Sequence, residues 1–199
     1  MGCYLTKASL CFKRRSSRRL TEKRVLLLGL DNAGKTSILL QLKENQFLPE
    51  IVPTIGLNIE KVRYGKSKYN LTFWDVGGQV TKLWKHYFDS VDGLVFVIDA
   101  TDRDRIARVK IELSGLAGDP ALQSVPFLLM FNKIDLTEQR MSLEELTERL
   151  GVEELSQNRV INFQECSAKT AEGVWEGVST LVDIFEGKTD TMVPCDSAL

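Results

Sequence analysis

The 199-residue sequence is poor in the residues that build metal and disulfide sites. It has one histidine, His86, and four cysteines. Cys3, Cys11, Cys166 and Cys195 form no CxxC pair and no cluster with histidine. This argues against a zinc centre and a disulfide framework, and for a reducing, cytosolic setting. No apolar run approaches the roughly 20 residues needed to cross a bilayer. The longest, "GLVFVI" at 93–98, reads as a buried strand. The few apolar residues at the N-terminus precede its charges, the reverse of a secretory signal. There is no internal repeat. With 43% hydrophobic and 27% charged residues, the chain reads as one soluble domain with a full core.

Balanced charge is also missing. The net charge is −1, yet eight of the 26 Lys and Arg fall in residues 1–24 against one acid, Glu22. The remaining residues carry 18 bases and 26 acids. A split of that kind points to a basic segment whose partner differs from the body's.

After Glu22 the texture becomes periodic. "RVLLLGL" (24–30), "DGLVFVIDA" (92–100) and "VPFLLMFNKID" (125–135) read as buried strands, and "VINFQECSAK" (160–169) as a last strand and loop. "LNIEKVRYGKSKYNLTFWD" (57–75) reads as two strands around a turn at Gly65-Lys66. Helices are expected over 35–45, over 142–150 with a Ser142-to-Glu145 capping box, and over 174–185. Strands alternating with helices give an α/β domain with a mostly parallel sheet, whose ligands sit beyond the carboxyl ends of the strands.

The chemistry lies at those ends. "GLDNAGKT" is G-x-x-x-x-G-K-[ST] between a strand and a helix, the P-loop context. Backbone along Gly29, Leu30, Asp31, Asn32, Ala33, Gly34, Lys35, Thr36 and Ser37 can wrap phosphates at a helix N-terminus. In that pattern Lys35 reaches the β/γ phosphates and Thr36 ligates Mg²⁺. "TFWDVGGQ" supplies Asp75, suited to Mg²⁺ through water, then Val76, Gly77 and Gly78 for a γ-phosphate, and Gln79 to orient an attacking water. "FNKID" places Asn132, Lys133 and Asp135 at a base. A carboxylate accepts from both N1–H and the exocyclic amine of guanine, a pair adenine lacks. "CSAK" adds Ser167, the Ala168 N–H for guanine O6, and Lys169 over the base. Cys166 reads as a small buried hydrophobe.

These stretches, with "VPTIGLNIE" (52–60), "WKHYF" (84–88) and "VFVIDATDRDR" (95–105), resemble a small GTPase, and among these the ADP-ribosylation factor (Arf) and Arf-like family. The likeness covers about residues 20–186. It implies a six-stranded sheet flanked by helices, binding of GTP and GDP with Mg²⁺, slow hydrolysis and two switch loops. It also implies an exchange factor, an activating protein and effectors, and a monomer. Thr54 in "PTIG" would be the switch I threonine that reaches Mg²⁺ with GTP bound. Only 17 residues separate Thr36 from Thr54. That leaves no room for the helical insert of heterotrimeric alpha subunits, and no arginine lies among them to act as a finger in cis. One departure stands out: the family reads G-G-Q, three residues, arginine, two residues, tryptophan. Here Gln79 reaches Trp84 through Val80, Thr81, Lys82 and Leu83, two residues shorter and without the arginine. Two readings compete with a cycling switch: a GTP-holding scaffold with little turnover, and an adenylate-using P-loop enzyme, which "NKID" and "CSAK" oppose.

The opening fits M-G-x-x-x-[ST], the N-myristoylation pattern, with Gly2 as acceptor and Cys3 beside it as a palmitoylation site. Myristate alone binds membranes marginally. Cys3 and the bases Lys13, Arg14, Arg15, Arg18, Arg19, Lys23 and Arg24 would supply second signals toward an anionic leaflet. Nucleic acid is disfavoured, because no aromatics interleave the charges. The expected organisation is a lipid-anchored segment at 1–22, a GTPase domain at 23–186 and a flexible polar tail at 187–199, on the cytosolic face of a membrane. A role in membrane trafficking or signalling is expected.

Overall fold

The computed structural model describes residues 20–65, 68–157 and 159–188. Gly2, Cys3, the bases at 13–19 and the tail beyond 188 lie outside them. Six strands, β1 (Thr21–Leu28), β2 (Leu57–Arg63), β3 (Tyr69–Val76), β4 (Gly93–Asp99), β5 (Phe127–Asn132) and β6 (Ile161–Glu165), form one sheet in the order β2-β3-β1-β4-β5-β6. Only β2 and β3 pair antiparallel; all other neighbours are parallel. The helices are α1 (Lys35–Glu44), α2 (Ile106–Ala117), α3 (Leu143–Leu150), α4 (Val152–Ser156) and α5 (Val174–Phe185). A 3-10 helix spans Thr81–Tyr87. Among the described residues no helix is long and apolar enough to cross a membrane.

The apolar runs are continuous because both faces of the sheet are covered. Along β1, Leu26 and Leu28 enter one core with Phe96, Trp84, Leu113 of α2 and Leu146 of α3. Val25 and Leu27 enter the other with Ile38 of α1 and Val178 and Leu181 of α5. The period-2 alternation of a strand splits one run between two cores.

The sequence signals map closely onto the elements, with three differences. First, β1 begins at Thr21, because its ladder to β3 already starts at Thr21 opposite Tyr69. Lys23, like Arg24 at the head of "RVLLLGL", is therefore a strand residue as well as one of the bases counted toward the membrane. Lys23 pairs with Asp92 at 2.7 Å, and the Arg24 guanidinium lies 3.6 Å from the Trp74 ring centre while donating to Tyr87 O. Second, the capping box is joined on one side. Ser142 Oγ accepts from the Glu145 N–H at 3.1 Å, but the Glu145 carboxylate turns to Arg103 and Arg149. Third, α2 and α4 are additions to the elements read from the sequence. α2 buries Ile106, Val109, Leu113 and Leu116 along one face, the stripe expected of a helix laid on a sheet.

Candidate functional site

Every motif ends up at the carboxyl edge of the parallel strands. β1 runs into the Gly29–Thr36 loop, and two glycines there are required by crowding. A Cβ on Gly29 (φ 143°) would stand 2.2 Å from Val97 O, and one on Gly34 (φ 94°) 2.2 Å from Asn132 Nδ2. The loop thus lies directly on β4 and on the residue that ends β5. Lys35 is buried, and its Nζ donates to Gly29 O (2.8 Å) and Leu30 O (2.9 Å). Burial pulls its ammonium below the ordinary lysine range, opposed by the nearby Asp75 and Asp31 carboxylates.

Thr36, Thr54 and Asp75 meet beside it. The two hydroxyl oxygens are 2.8 Å apart; Asp75 Oδ2 is 2.7 Å from Thr36 Oγ1 and 3.4 Å from Thr54 Oγ1. These residues come from α1, the loop before β2 and the end of β3, so only the folded chain assembles them. Asp75 is fully buried, and its Oδ1 has no hydrogen-bond partner among the described residues. Burial raises its carboxyl above the ordinary range, against the Thr36 hydrogen bond and the Lys35 charge. Three side chains bearing hard oxygens, with one buried oxygen left unpaired, fit a small divalent cation such as Mg²⁺ held directly or through water.

Gly78 closes the loop from above. A Cβ there would meet Gly29 O at 2.4 Å and Asp31 N at 2.5 Å. Gly77 donates its N–H to Gly56 O at 2.9 Å, tying the segment after β3 to the segment before β2. A cavity of about 160 Å³ opens between these walls, lined by Lys35, Thr36, Thr54, Gly78 and Gln79 among others. Gln79 itself is exposed at the rim. Trp84 is buried against Phe96, and its indole N–H donates to Gly77 O at 3.2 Å. The stretch between Gln79 and Trp84 enters the 3-10 helix at Thr81.

The base-side residues are held in three bonded groups. Asn132 Nδ2 donates to Ala33 O (2.9 Å) and its Oδ1 accepts from the Ala168 N–H (3.0 Å), so it joins the loop, β5 and the segment after β6. The Ala168 N–H, expected to face guanine O6, is thus engaged by Asn132, and a base has to compete for it. Asp135 Oδ1 accepts from Ser167 Oγ (2.7 Å), with Lys169 Nζ 3.8 Å from its Oδ2. A carboxylate has about four lone-pair sites, so Asp135 keeps acceptor capacity. Lys133 (φ 71°) pairs with Asp99 at 2.6 Å. Cys166 is fully buried, and its thiol is pushed up to about 12 by desolvation, which makes it inert. His86 is exposed on the 3-10 helix, away from the cavity lining. Asp99 and Arg105, which the motifs did not single out, also border this region; the "DATDRDR" stretch was the only hint of them.

Comparison with known proteins agrees with the geometry. The model of the ADP-ribosylation factor family matches residues 10–185. The solved structure of the Arl6 (BBS3) small GTPase from Trypanosoma brucei with bound nucleotide analogue GppNp has a TM-score of 0.76 at 30% identity. The match covers 85% of this chain and 100% of that one.

Proposed function

Because the chain belongs to the ADP-ribosylation factor family of small GTPases, we propose that its strand-end cavity is the site where GTP is bound and hydrolysed. The observation that carries this is the meeting of Thr36, Thr54 and the half-unpaired Asp75 beside Lys35. In this reading Lys35 leaves the two loop carbonyls it now engages and donates to the β and γ phosphates. The loop N–H groups between Gly29 and Ser37 wrap them. Thr36 and Thr54 would hold Mg²⁺ directly and Asp75 through water. The cation's part is to neutralise phosphate charge. The Gly78 N–H reads the γ-phosphate, and Val76 and Gly77 hold the backbone that presents it. Gln79 orients water. Asn132, Lys133, Asp135, Ser167, Ala168 and Lys169 take the guanine.

The cycle follows from this placement. Thr54 and Gly78 sit on the segments either side of the β2–β3 hairpin and meet through the Gly77 N–H to Gly56 O bond. Losing the γ-phosphate removes a partner from both, so the two segments loosen together. Effectors that read these segments then distinguish GTP from GDP. No arginine in the segment between Thr36 and Thr54 is offered to the developing charge, so intrinsic hydrolysis is slow and needs an activating partner. The exposed position of Gln79 favours a second reading, a scaffold that holds GTP with little turnover. At its N-terminus the protein is myristoylated on Gly2, palmitoylated on Cys3 and held at the cytosolic face of an anionic membrane, where it serves trafficking or signalling.

Fluorescent GDP and GTP titrations with and without Mg²⁺ test the site, and a single-turnover assay separates switch from scaffold. Tight, Mg²⁺-dependent guanine binding with slow but measurable hydrolysis is expected. Binding that ignores Mg²⁺, or equal affinity for ATP, overturns the reading.

A further inference from the structure

Arg105 stands just before α2, and its guanidinium crosses to the phosphate-binding loop. Nη1 lies 3.0 Å from Asp31 Oδ1, and Nη2 donates to Asp31 O at 3.2 Å. Nε is held by Asp102 Oδ2 at 2.5 Å, and Asp102 Oδ1 accepts the Arg105 N–H at 3.2 Å. One arginine is thus aimed by Asp102 and grips both the side chain and the backbone of Asp31. The next residue, Asn32, sits at φ 61°, a conformation unfavourable for a side chain other than glycine or asparagine. A grip on the preceding carbonyl helps to hold it.

Asp31 is an awkward residue for this place. It lines the same cavity as Lys35, Thr36, Gly78 and Gln79, and its backbone N–H packs against Gly78. With Gly78 taken as the reader of the γ-phosphate, as proposed above, Asp31 stands at the end that a third phosphate would fill and a diphosphate would leave empty. A free carboxylate there opposes the triphosphate far more than the diphosphate. Arg105 cancels that charge and holds its oxygen on the α2 side.

We propose that Arg105 is a positioning residue that acts through Asp31 to set the preference of the site for GTP over GDP. The inference rests on the cavity being the triphosphate site. It predicts a change in selectivity rather than in folding. The pair is partly exposed, with side-chain exposures of 31% and 44%. Water screens it, and the expected effect is about tenfold rather than thousandfold.

The test uses the full-length protein with Mg²⁺ and measures the affinities of fluorescent GDP and of a fluorescent non-hydrolysable GTP analogue. Arg105→Gln should lower the GTP-over-GDP ratio about tenfold, and Arg105→Lys by less. Adding Asp31→Asn to Arg105→Gln should return the ratio to within about twofold of wild type. Raising the salt should shrink the Arg105→Gln effect. If Arg105→Gln weakens both nucleotides equally, or if Asp31→Asn fails to rescue the ratio, the proposal is overturned. Should Arg105→Gln not fold, Asp31→Asn alone decides: a ratio raised by about threefold supports the proposal, and an unchanged ratio overturns it. Failure of the wild type to bind either nucleotide would instead overturn the site assignment beneath it.

Discussion

Asp75 puts a carboxyl in a place that resists its charge. It is fully buried, Thr36 and Thr54 satisfy one oxygen, and the other is left unpaired. Its carboxyl is raised in the folded chain. A raised carboxyl contributes stability that is present in full below the unfolded value and is lost as pH rises through the folded one. Metal-chelated wild type should therefore lose stability, relative to Asp75→Asn, as pH rises above about 4. Thermal melts of both proteins in chelator across pH 4–7 check this; parallel curves would refute it. The same substitution should blunt the effect of Mg²⁺. Chelation should speed nucleotide release about tenfold or more in wild type and about twofold or less in Asp75→Asn. On the base side, Asp135→Asn replaces an acceptor with a donor and should shift preference from GTP toward xanthosine triphosphate. A competition assay reads this directly, and full retention of GTP preference would show that Asp135 does not read the base.

Between strands and helices, Arg24 and the 3-10 helix decide how the segment after β3 is held. Arg24 lies over Trp74 of β3 and donates to Tyr87 O at the end of the 3-10 helix. It ties β1 to both. Cation–π contact of this kind is worth about 1–2 kcal/mol when partly desolvated, so Arg24→Ala should lower the melting temperature by about 2–8 °C. Arg24→Lys should restore little of it, because a lysine has no planar group to stack on the ring. The 3-10 helix itself answers the shortened spacing between Gln79 and Trp84. A 3-10 helix rises about 2.0 Å per residue against about 1.5 Å for an α-helix, so fewer residues bridge a given gap. A Trp84 held in the core by Phe96 and Gly77 would then leave little slack in the chain leading to Gln79. Inserting two residues with an arginine before Trp84 should then raise stimulated hydrolysis, and Gln79→Leu should cost less than in ordinary relatives. Single-turnover rates decide it; an ordinary family rate with a steep loss in Gln79→Leu would exclude the idea. Legibility at this scale followed locality. β1, the phosphate loop and the Ser142 cap were readable because their causes lie within a few residues of each other. Asn132 and Asp135 were readable because each sits at a strand end inside a short motif. α2 went unread, although its buried positions repeat at helical spacing, and with it went Arg105. Arg105 takes its meaning from Asp31, 74 residues away, and no local pattern marks a partner that only the fold brings near. The start of β1 at Thr21 is hidden for the opposite reason: the charges of Lys23 and Arg24 look continuous with the basic segment, although the ladder to β3 begins before them.

Taken whole, the molecule is more polarised than its net charge of −1 implies. With Lys23 and Arg24 committed to the sheet, residues 1–20 hold six bases and no acid, and residues 21–199 hold 20 bases against 27 acids. An anionic bilayer therefore attracts the segment and mildly repels the domain. Each base near the surface is worth about 1 kcal/mol, and the attraction falls away within a Debye length of about 8 Å at physiological salt. Six scattered charges of that strength hold a protein only in concert with a lipid chain, and one myristate is itself marginal. Two acyl chains plus the charges would give lasting attachment and would orient the acidic domain, switches included, away from the headgroups. Gly2→Ala should accordingly leave most of the protein in the soluble fraction of cells. Cys3→Ser should leave it myristoylated and membrane-bound at low salt but released by about 0.5 M salt, where the Debye length falls below 5 Å. Neutralising Arg14, Arg15, Arg18 and Arg19 to glutamine in the Cys3→Ser background should release it even at low salt. Fractionation of the four proteins, with intact mass to read the lipids, tests the scheme. A Gly2→Ala protein that still sediments fully with membranes would place the anchor elsewhere, because neither the charges nor any described helix could then account for it.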